Sequence, residues 1–179
     1  LDDVRHVATA AQRVADPLLL VCTHGRRDAC CARSGRGLLA DIQHSQGEVW
    51  ESSHQGGHRF APVVLELTSG YQHGRVTSSG LAAIARAASQ GRVHLPTARG
   101  HVGLKPALQA ADLAVRQETG ITDLPGVQLN ETDGVIHAAV RSGPRFVARV
   151  QHHDLPSRIE SCGGSPGPAT NLSVDLQPD

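Results

Sequence analysis

The chain has 179 residues, with 17 basic and 17 acidic side chains and four cysteines. At this length a single domain of ordinary size with a buried core is expected. The balanced charge and the absence of a long basic stretch argue against nucleic acid as a partner. The longest apolar runs span only a few residues, well below the roughly 20 that cross a bilayer, so neither a membrane span nor a membrane partner is predicted.

The cysteine usage and the N-terminal residues favour a cytoplasmic protein. The sequence starts without an apolar signal segment, and its four cysteines are unevenly spaced. In such a chain, clustered cysteines more often bind a metal or take part in redox chemistry than form a disulfide framework. Position 1 is Leu1 rather than methionine, which predicts that an upstream piece has been removed.

The first part of the chain is predicted to alternate between helix and strand. Apolar residues at helical spacing over residues 4–14 predict a helix. The short apolar run Leu18–Cys22 predicts a buried strand with Cys22 at its C-terminal end. Gly35 and Gly37 predict a loop after the cysteine-rich segment, and Leu38 is the first apolar residue of a short second helix.

A strand and a hairpin are predicted in the middle of the chain. Val49 and Trp50 indicate the strand. Two further strand-like runs, Pro62–Leu67 and Tyr71–Val76, lie on either side of Gly70, which predicts the hairpin turn.

Two amphipathic helices are predicted next. The first is capped by Ser78 or Ser79 and closed by Gly91, and the second has its apolar face over residues 104–115 and is closed by Gly120. Both are expected to pack against the sheet.

The remaining sequence predicts a last hairpin and a tail. The hairpin strands are Val135–Val140 and Phe146–Val150. Residues 155–179 are rich in Pro, Ser and Gly and are predicted to be loosely ordered, which leaves residues 1–154 as the folded domain. The order of elements predicts the α/β class, and a thioredoxin-like mixed sheet flanked by helices is compatible with it.

Two pairs of metal-binding residue types stand out. Cys22 and Cys31 lie on either side of a short arginine-rich segment, and the sequence HQGGH contains His54 and His58. The two glycines between the histidines favour a loop over a helix. Glycines beside a bound group let the backbone approach closely and direct amide N–H groups towards sulfide or an anion.

Several interpretations of these four residues remain open. With eleven histidines in the chain, the pairs could be unrelated. A Cys2His2 zinc site accepts these ligands, although the separation of the cysteines exceeds the usual spacing. A [2Fe-2S] cluster needs four ligands on two irons, which two cysteines and two histidines from separate loops supply.

Other cysteine chemistry is less consistent with the sequence. Cys30 and Arg36 match a Cys-x5-Arg phosphate-binding pattern, but Cys22, not Cys30, occupies the predicted strand end. The chain contains no CxxC motif for thiol–disulfide exchange. Cys162 lies in the predicted tail and is expected to be a free thiol.

The motifs resemble the sucrase/ferredoxin-like family. The resemblance rests on CTHGRRDACCA and VWESSHQGGHRFAPVVLEL, with further similarity in YQHGRV and RGHVGLKPALQAADLAVRQETG. It implies a thioredoxin-like [2Fe-2S] ferredoxin, and family members often have an additional N-terminal half.

The resemblance implies a specific ligand set. The family's ligand cysteines and histidines correspond to Cys22, Cys31, His54 and His58. Cys30 stands where relatives often have arginine and could substitute for Cys31. Ser52 replaces a cysteine of many relatives that is not among the ligands.

This ligand set implies an electron carrier rather than a self-contained enzyme. Two neutral imidazoles in place of two thiolates make the cluster less negative, so its reduction potential should lie above that of an all-cysteine cluster and fall as pH rises. Arg59, with Arg26 and Arg27, could dock an acidic redox partner protein. Thioredoxin-like ferredoxins are often dimeric, so the resemblance also allows a homodimer. A zinc-stabilised binding module and a metal-free thioredoxin-like module are the alternatives.

Overall fold

The computed structural model describes residues 16–26, 28–41, 48–159, 162 and 164–179. The helix predicted over residues 4–14 lies outside these residues. Among the described residues, no helix combines the length and the apolar composition that crossing a bilayer requires.

The first half of the chain forms a five-stranded mixed sheet in the order β2-β1-β3-β4-β5. Its strands are β1 (Leu18–Cys22), β2 (Glu48–Ser52), β3 (Val63–Glu66), β4 (Tyr71–Gly74) and β5 (Ala98–His101). Strand β2 is parallel to β1, whereas β3 is antiparallel to β1 and begins the antiparallel run β3-β4-β5. A parallel strand–helix–strand unit followed by an antiparallel hairpin and a helix is the thioredoxin-like arrangement, and the α/β class is confirmed.

Within the described residues, three α-helices accompany the strands: α1 (Ala29–Ala40), α2 (Ser78–Ser89) and α3 (Pro106–Thr119). Helices α1 and α2 cover the buried centre of the first sheet. The core there is apolar because β1 contributes Leu19 and Val21, both fully buried, against Leu38 of α1 and Leu81 of α2. Burial of such side chains is the main term that stabilises the sheet against its helices.

Helix α1 differs from the sequence prediction. It begins at Ala29 and includes the two glycines that predicted a loop. An alanine-type Cβ at Gly35 would lie 2.2 Å from the carbonyl oxygen of Cys22. Gly35 therefore allows the helix to pack closely on β1, and this contact outweighs the low helix propensity of glycine.

Helices α2 and α3 and the central hairpin confirm their predictions. The cap of α2 is Thr77, whose Oγ1 accepts a hydrogen bond from the Gly80 N–H at 3.1 Å, rather than either of the predicted serines. Gly120 closes α3 with a φ of 71°, and Gly70 turns the β3-β4 hairpin with a φ of 77°. Both positions lie in the left-handed region that favours glycine.

The second sheet contains four antiparallel strands in the order β6-β7-β8-β9. They are β6 (Val127–Thr132), β7 (Val135–Val140), β8 (Arg145–Ile159) and β9 (Pro166–Pro178). The β7-β8 hairpin was predicted, whereas β5, β6 and β9 were not.

The prediction of a loosely ordered tail from residue 155 is wrong. The described residues beyond 155 belong mainly to β8 and β9, which pair over most of their length. Val174 and Leu176 of β9 pack against the buried cluster of Ala111 in α3, Ile136 and Ala148. The alternation of apolar and polar residues over 172–176 is a strand signal that the surrounding Pro and Gly obscured.

A buried polar network joins the two sheets. The Tyr71 hydroxyl donates to the Asp112 carboxylate, and Arg116 Nε donates to Tyr71 Oη and Asp112 Oδ1, each at 3.0 Å. The same guanidinium donates to the carbonyl oxygens of Asp123 at 2.9 Å and Leu124 at 3.0 Å, just before β6. The network therefore connects β4, α3 and the entry into the second sheet.

Candidate metal centre

The two predicted ligand cysteines meet where α1 begins. Cys22 is the last residue of β1, and Cys31 lies in the first turn of α1. Both thiols are free and fully buried, and they pack with Val63, Phe60 and Ala61. Because Gly35 lets the helix pack closely on β1, Cys31 lies beside the strand end that carries Cys22.

The surroundings of Cys31 disfavour a bare thiolate. Burial, with smaller contributions from the neighbouring Cys22 and from Asp28, raises the pKa of the Cys31 thiol to about 12. A nearby cation is what would stabilise the ionised form. Two buried thiols in contact without a disulfide bond are therefore well suited to a metal.

The predicted ligand histidines lie on the segment that follows β2. Gly56 and Gly57 between them have φ values of 79° and 64°, which confirms a loop. Gln55 anchors this loop to the sheet, because its Nε2 donates to the Leu20 carbonyl oxygen at 2.8 Å. The rings of His54 and His58 stack with centroids 5.5 Å apart.

The structure brings these residues together in two overlapping groups. Ligand atoms of Cys22, Cys31 and His54 all lie within 4.8 Å of one another. Ligand atoms of His54, His58 and Asp28 form a second group with the same limit. His54 therefore faces the sulfurs directly, and His58 lies on the side of His54 that faces Asp28.

Asp28 is the residue that sequence reasoning missed. It is the N-cap residue of α1 and is fully buried. One carboxylate oxygen, Oδ2, lies 3.2 Å from His58 Nδ1, and the other accepts a hydrogen bond from the Cys162 N–H at 2.9 Å. An aspartate directly before a helix signals an N-cap. Here the side chain lies beside His58 and accepts from the Cys162 N–H instead of capping the helix.

Cys30 and Cys162 form a disulfide bond. The prediction that Cys162 is a free thiol is therefore wrong, because Cys162 lies beside the start of α1. While this bond is intact, the Cys30 sulfur cannot substitute for Cys31 as a ligand. Cys30 and Arg36 both lie within α1, so they do not form the strand-end phosphate loop that their spacing suggested.

The model of the sucrase/ferredoxin-like family matches residues 2–100. The chain belongs to this family. The matched residues of this sucrase/ferredoxin-like chain contain all four predicted ligands, whereas α3 and the second sheet lie beyond them. The similarity predicted for the segment after residue 100 is thus outside the match. No match was found among curated proteins or among solved structures.

The sulfur and nitrogen ligand atoms of this sucrase/ferredoxin-like protein fit a metal ion or cluster that is intermediate between hard and soft. Thiolate and imidazole ligands suit both iron–sulfur clusters and zinc. His58 Nε2 is buried and has no hydrogen-bond partner among the described residues, so it has a lone pair or proton to offer a bound group. Buried polar atoms of this kind are rare unless they serve a ligand or a function.

Proposed function

We propose that this protein is an electron carrier that holds one [2Fe-2S] cluster through Cys22, Cys31, His54 and His58. The observation that carries the proposal is the convergence of two buried thiols and an imidazole from three segments of the chain within 4.8 Å. These residues lie in the region that matches the sucrase/ferredoxin-like family. When bound, such a cluster accepts and releases single electrons.

The protein's own residues have distinct roles in this proposal. Cys22 and Cys31 supply the negative charge that the cluster requires, and the apolar residues packed around them exclude water. His54 and His58 supply neutral ligands, which favour electron uptake relative to four thiolates. Asp28 Oδ2 lies 3.2 Å from His58 Nδ1, so it would hold a proton on that nitrogen and leave Nε2 as the ligand atom, as carboxylates commonly do for metal-bound histidines.

Zinc is the second candidate, and one observation favours it. Zinc ligand bonds of about 2.0–2.3 Å place tetrahedral ligands roughly 3.5 Å apart. The mutual separation of Cys22, Cys31 and His54 below 4.8 Å is compatible with a single ion. A zinc-stabilised binding module would use the same four side chains without any redox chemistry.

Anaerobic reconstitution with iron and sulfide distinguishes these functions. The electron carrier should bind two irons and two sulfides per chain and show visible absorption that dithionite bleaches. Metal analysis of the protein as isolated should find iron rather than zinc. One zinc per chain, with no cluster formed on reconstitution, would contradict the proposal. The metal-free alternative would retain neither metal.

Matched histidine variants test the ligands. His54→Cys should keep the cluster and lower its reduction potential, because a thiolate adds negative charge. His24→Ala is the control, since the His24 ring lies 6.0 Å from that of His54 and is outside the proposed ligand set. His24→Ala should leave the potential unchanged, and an equal shift in both variants would argue against ligation by His54.

We further propose a cytoplasmic location and an acidic redox protein as partner, with Arg59 beside His58 on the docking surface. The disulfide bond provides a test of the location, because such bonds are rare in reducing compartments. If the protein is cytoplasmic, thiol labelling of protein taken from cells should find Cys30 and Cys162 reduced, and the disulfide bond should form when the purified chain is oxidised. Complete oxidation would point to an oxidising compartment.

A further inference from the structure

Three arginines converge on the ring of Phe60. The guanidinium carbons of Arg99, Arg59 and Arg75 lie 3.4, 4.6 and 5.5 Å from the ring centroid. Each separation is within the range of a cation–π interaction. Three positive charges are thereby held within about 10 Å of one another by a single aromatic side chain.

The backbone around Phe60 is shaped for this arrangement. A Cβ at Gly74 would lie 2.9 Å from the Phe60 Cβ and 3.1 Å from the Arg99 Cδ, so only glycine permits this packing. Arg75 has a φ of 55°, which is uncommon for a residue with a side chain. Its N–H donates to the Phe60 carbonyl oxygen at 2.7 Å.

Within the part of the chain that the structure describes, the ion pairs include neither Arg75 nor Arg99. Burial, followed by the proximity of Arg59 and Arg75, lowers the pKa of Arg99. Repulsion between like charges is relieved when an anion binds between them.

A polar cleft opens beside two of these arginines. It has a volume of about 760 Å³ and lies between α3, β5 and the β8-β9 hairpin, with Arg59 and Arg99 in its lining. Gln109, Gln117 and Asn171 add amide groups to the wall. This volume is within the range of sites that accommodate a small organic molecule.

We propose that the arginines around Phe60 form an oxyanion site, and that the cleft holds the remainder of a small molecule bearing a phosphate or carboxylate group. Planar guanidinium groups bind both oxyanions through paired hydrogen bonds. The site is separate from the four candidate metal ligands, so it does not depend on the proposed cluster. Phe60 nevertheless packs against Cys22 and Cys31, which places the bound anion next to the candidate metal centre.

Isothermal titration calorimetry of the full chain with pyrophosphate and with citrate tests this site. Both probes should bind, and binding should weaken as sodium chloride is raised. Arg99→Gln and Arg75→Gln should each weaken binding about tenfold or more, because each removes a charge-assisted contact. Arg99→Lys keeps the charge but loses the paired geometry, and should weaken binding less than Arg99→Gln.

Arg86→Gln is the matched control, because Arg86 is an exposed arginine of α2 away from Phe60. It should bind both probes as the unmodified chain does, and thermal unfolding should show that all variants are folded. Absence of binding, or equal affinity in Arg99→Gln and Arg86→Gln, would overturn the proposal. A glutamate decapeptide that binds while neither small anion does would also overturn it and would assign Arg75 and Arg99 to the protein docking surface already proposed for Arg59.

Discussion

Replacing Gly35 by alanine tests how α1 positions the two cysteines. The added methyl group would lie 2.2 Å from the Cys22 carbonyl oxygen, 3.2 Å from the Cys22 carbonyl carbon and 3.3 Å from the Thr23 Cγ2. The closest atom belongs to the backbone of β1, so a side-chain rotation cannot relieve the clash. Helix α1 must instead move away from the strand.

The magnitude follows from two opposing contributions. Overpacking against a rigid partner costs about 3 kcal/mol, at the upper end of the usual range, because the contact is with backbone. Alanine regains about 1 kcal/mol of helix propensity over glycine. The expected net loss of folding free energy is about 2 kcal/mol, which lowers the melting temperature by roughly 4–8 °C for a chain of this size.

Gly37→Ala is the matched control within the same helix. A Cβ at Gly37 would have no neighbour within 4 Å, so only the propensity term applies. This variant should gain about 0.5–1 kcal/mol. Urea unfolding of the metal-free chain, followed by circular dichroism, measures both variants against the unmodified protein.

The two variants should shift stability in opposite directions. If Gly35→Ala is as stable as Gly37→Ala, then α1 does not pack on β1 as described. The same displacement should separate Cys31 from Cys22, so Gly35→Ala should also bind less iron on reconstitution than Gly37→Ala. Equal iron content in both would refute the link between this contact and the site.

Three further outcomes are expected. Burial lowers the pKa of His73 to about 4 from 6.5. The free energy of unfolding should therefore fall by about 3 kcal/mol as pH drops from above 6.5 towards 4, because the unfolded chain binds the proton more readily. Urea unfolding should detect this loss, and His73→Asn should remove most of the pH dependence. Arg116→Met should cost about 3–5 kcal/mol in the same assay because it leaves the Asp112 carboxylate buried without its cation, and a loss below 1 kcal/mol would contradict this. Asp28→Asn should raise the reduction potential of the reconstituted protein because it removes a buried negative charge beside His58, and spectroelectrochemistry showing no change would exclude that role.

Local patterns in the sequence determined much of the fold. The apolar run of β1, the hairpin around Gly70 and the closure of α3 at Gly120 all follow from short-range preferences of strands, turns and helix ends. The α/β class follows from the order of these elements. The residues proposed as ligands were also named from sequence, because the two cysteines and the two histidines of HQGGH match the positions that the family resemblance implies.

Long-range contacts decided the remainder. Gly35 predicts a loop by propensity, but in the folded chain it lies inside a helix. Glycine is needed there because the Cys22 carbonyl occupies the space that a side chain would take. The apolar alternation in β9 becomes a strand because β8 and α3 lie beside it. Propensity describes what a segment prefers alone, and packing outweighs that preference.

The surroundings of the candidate metal centre depend most strongly on tertiary structure. Asp28 and Cys162 are joined by a hydrogen bond although they lie far apart in the chain, and Cys162 is also the disulfide partner of Cys30. The arginines around Phe60 come from three segments. Sequence alone identified the residue types that can bind a metal. Their partners could be identified only in the folded chain, because charge pairing and burial depend on distances in space, which separation along the chain does not determine.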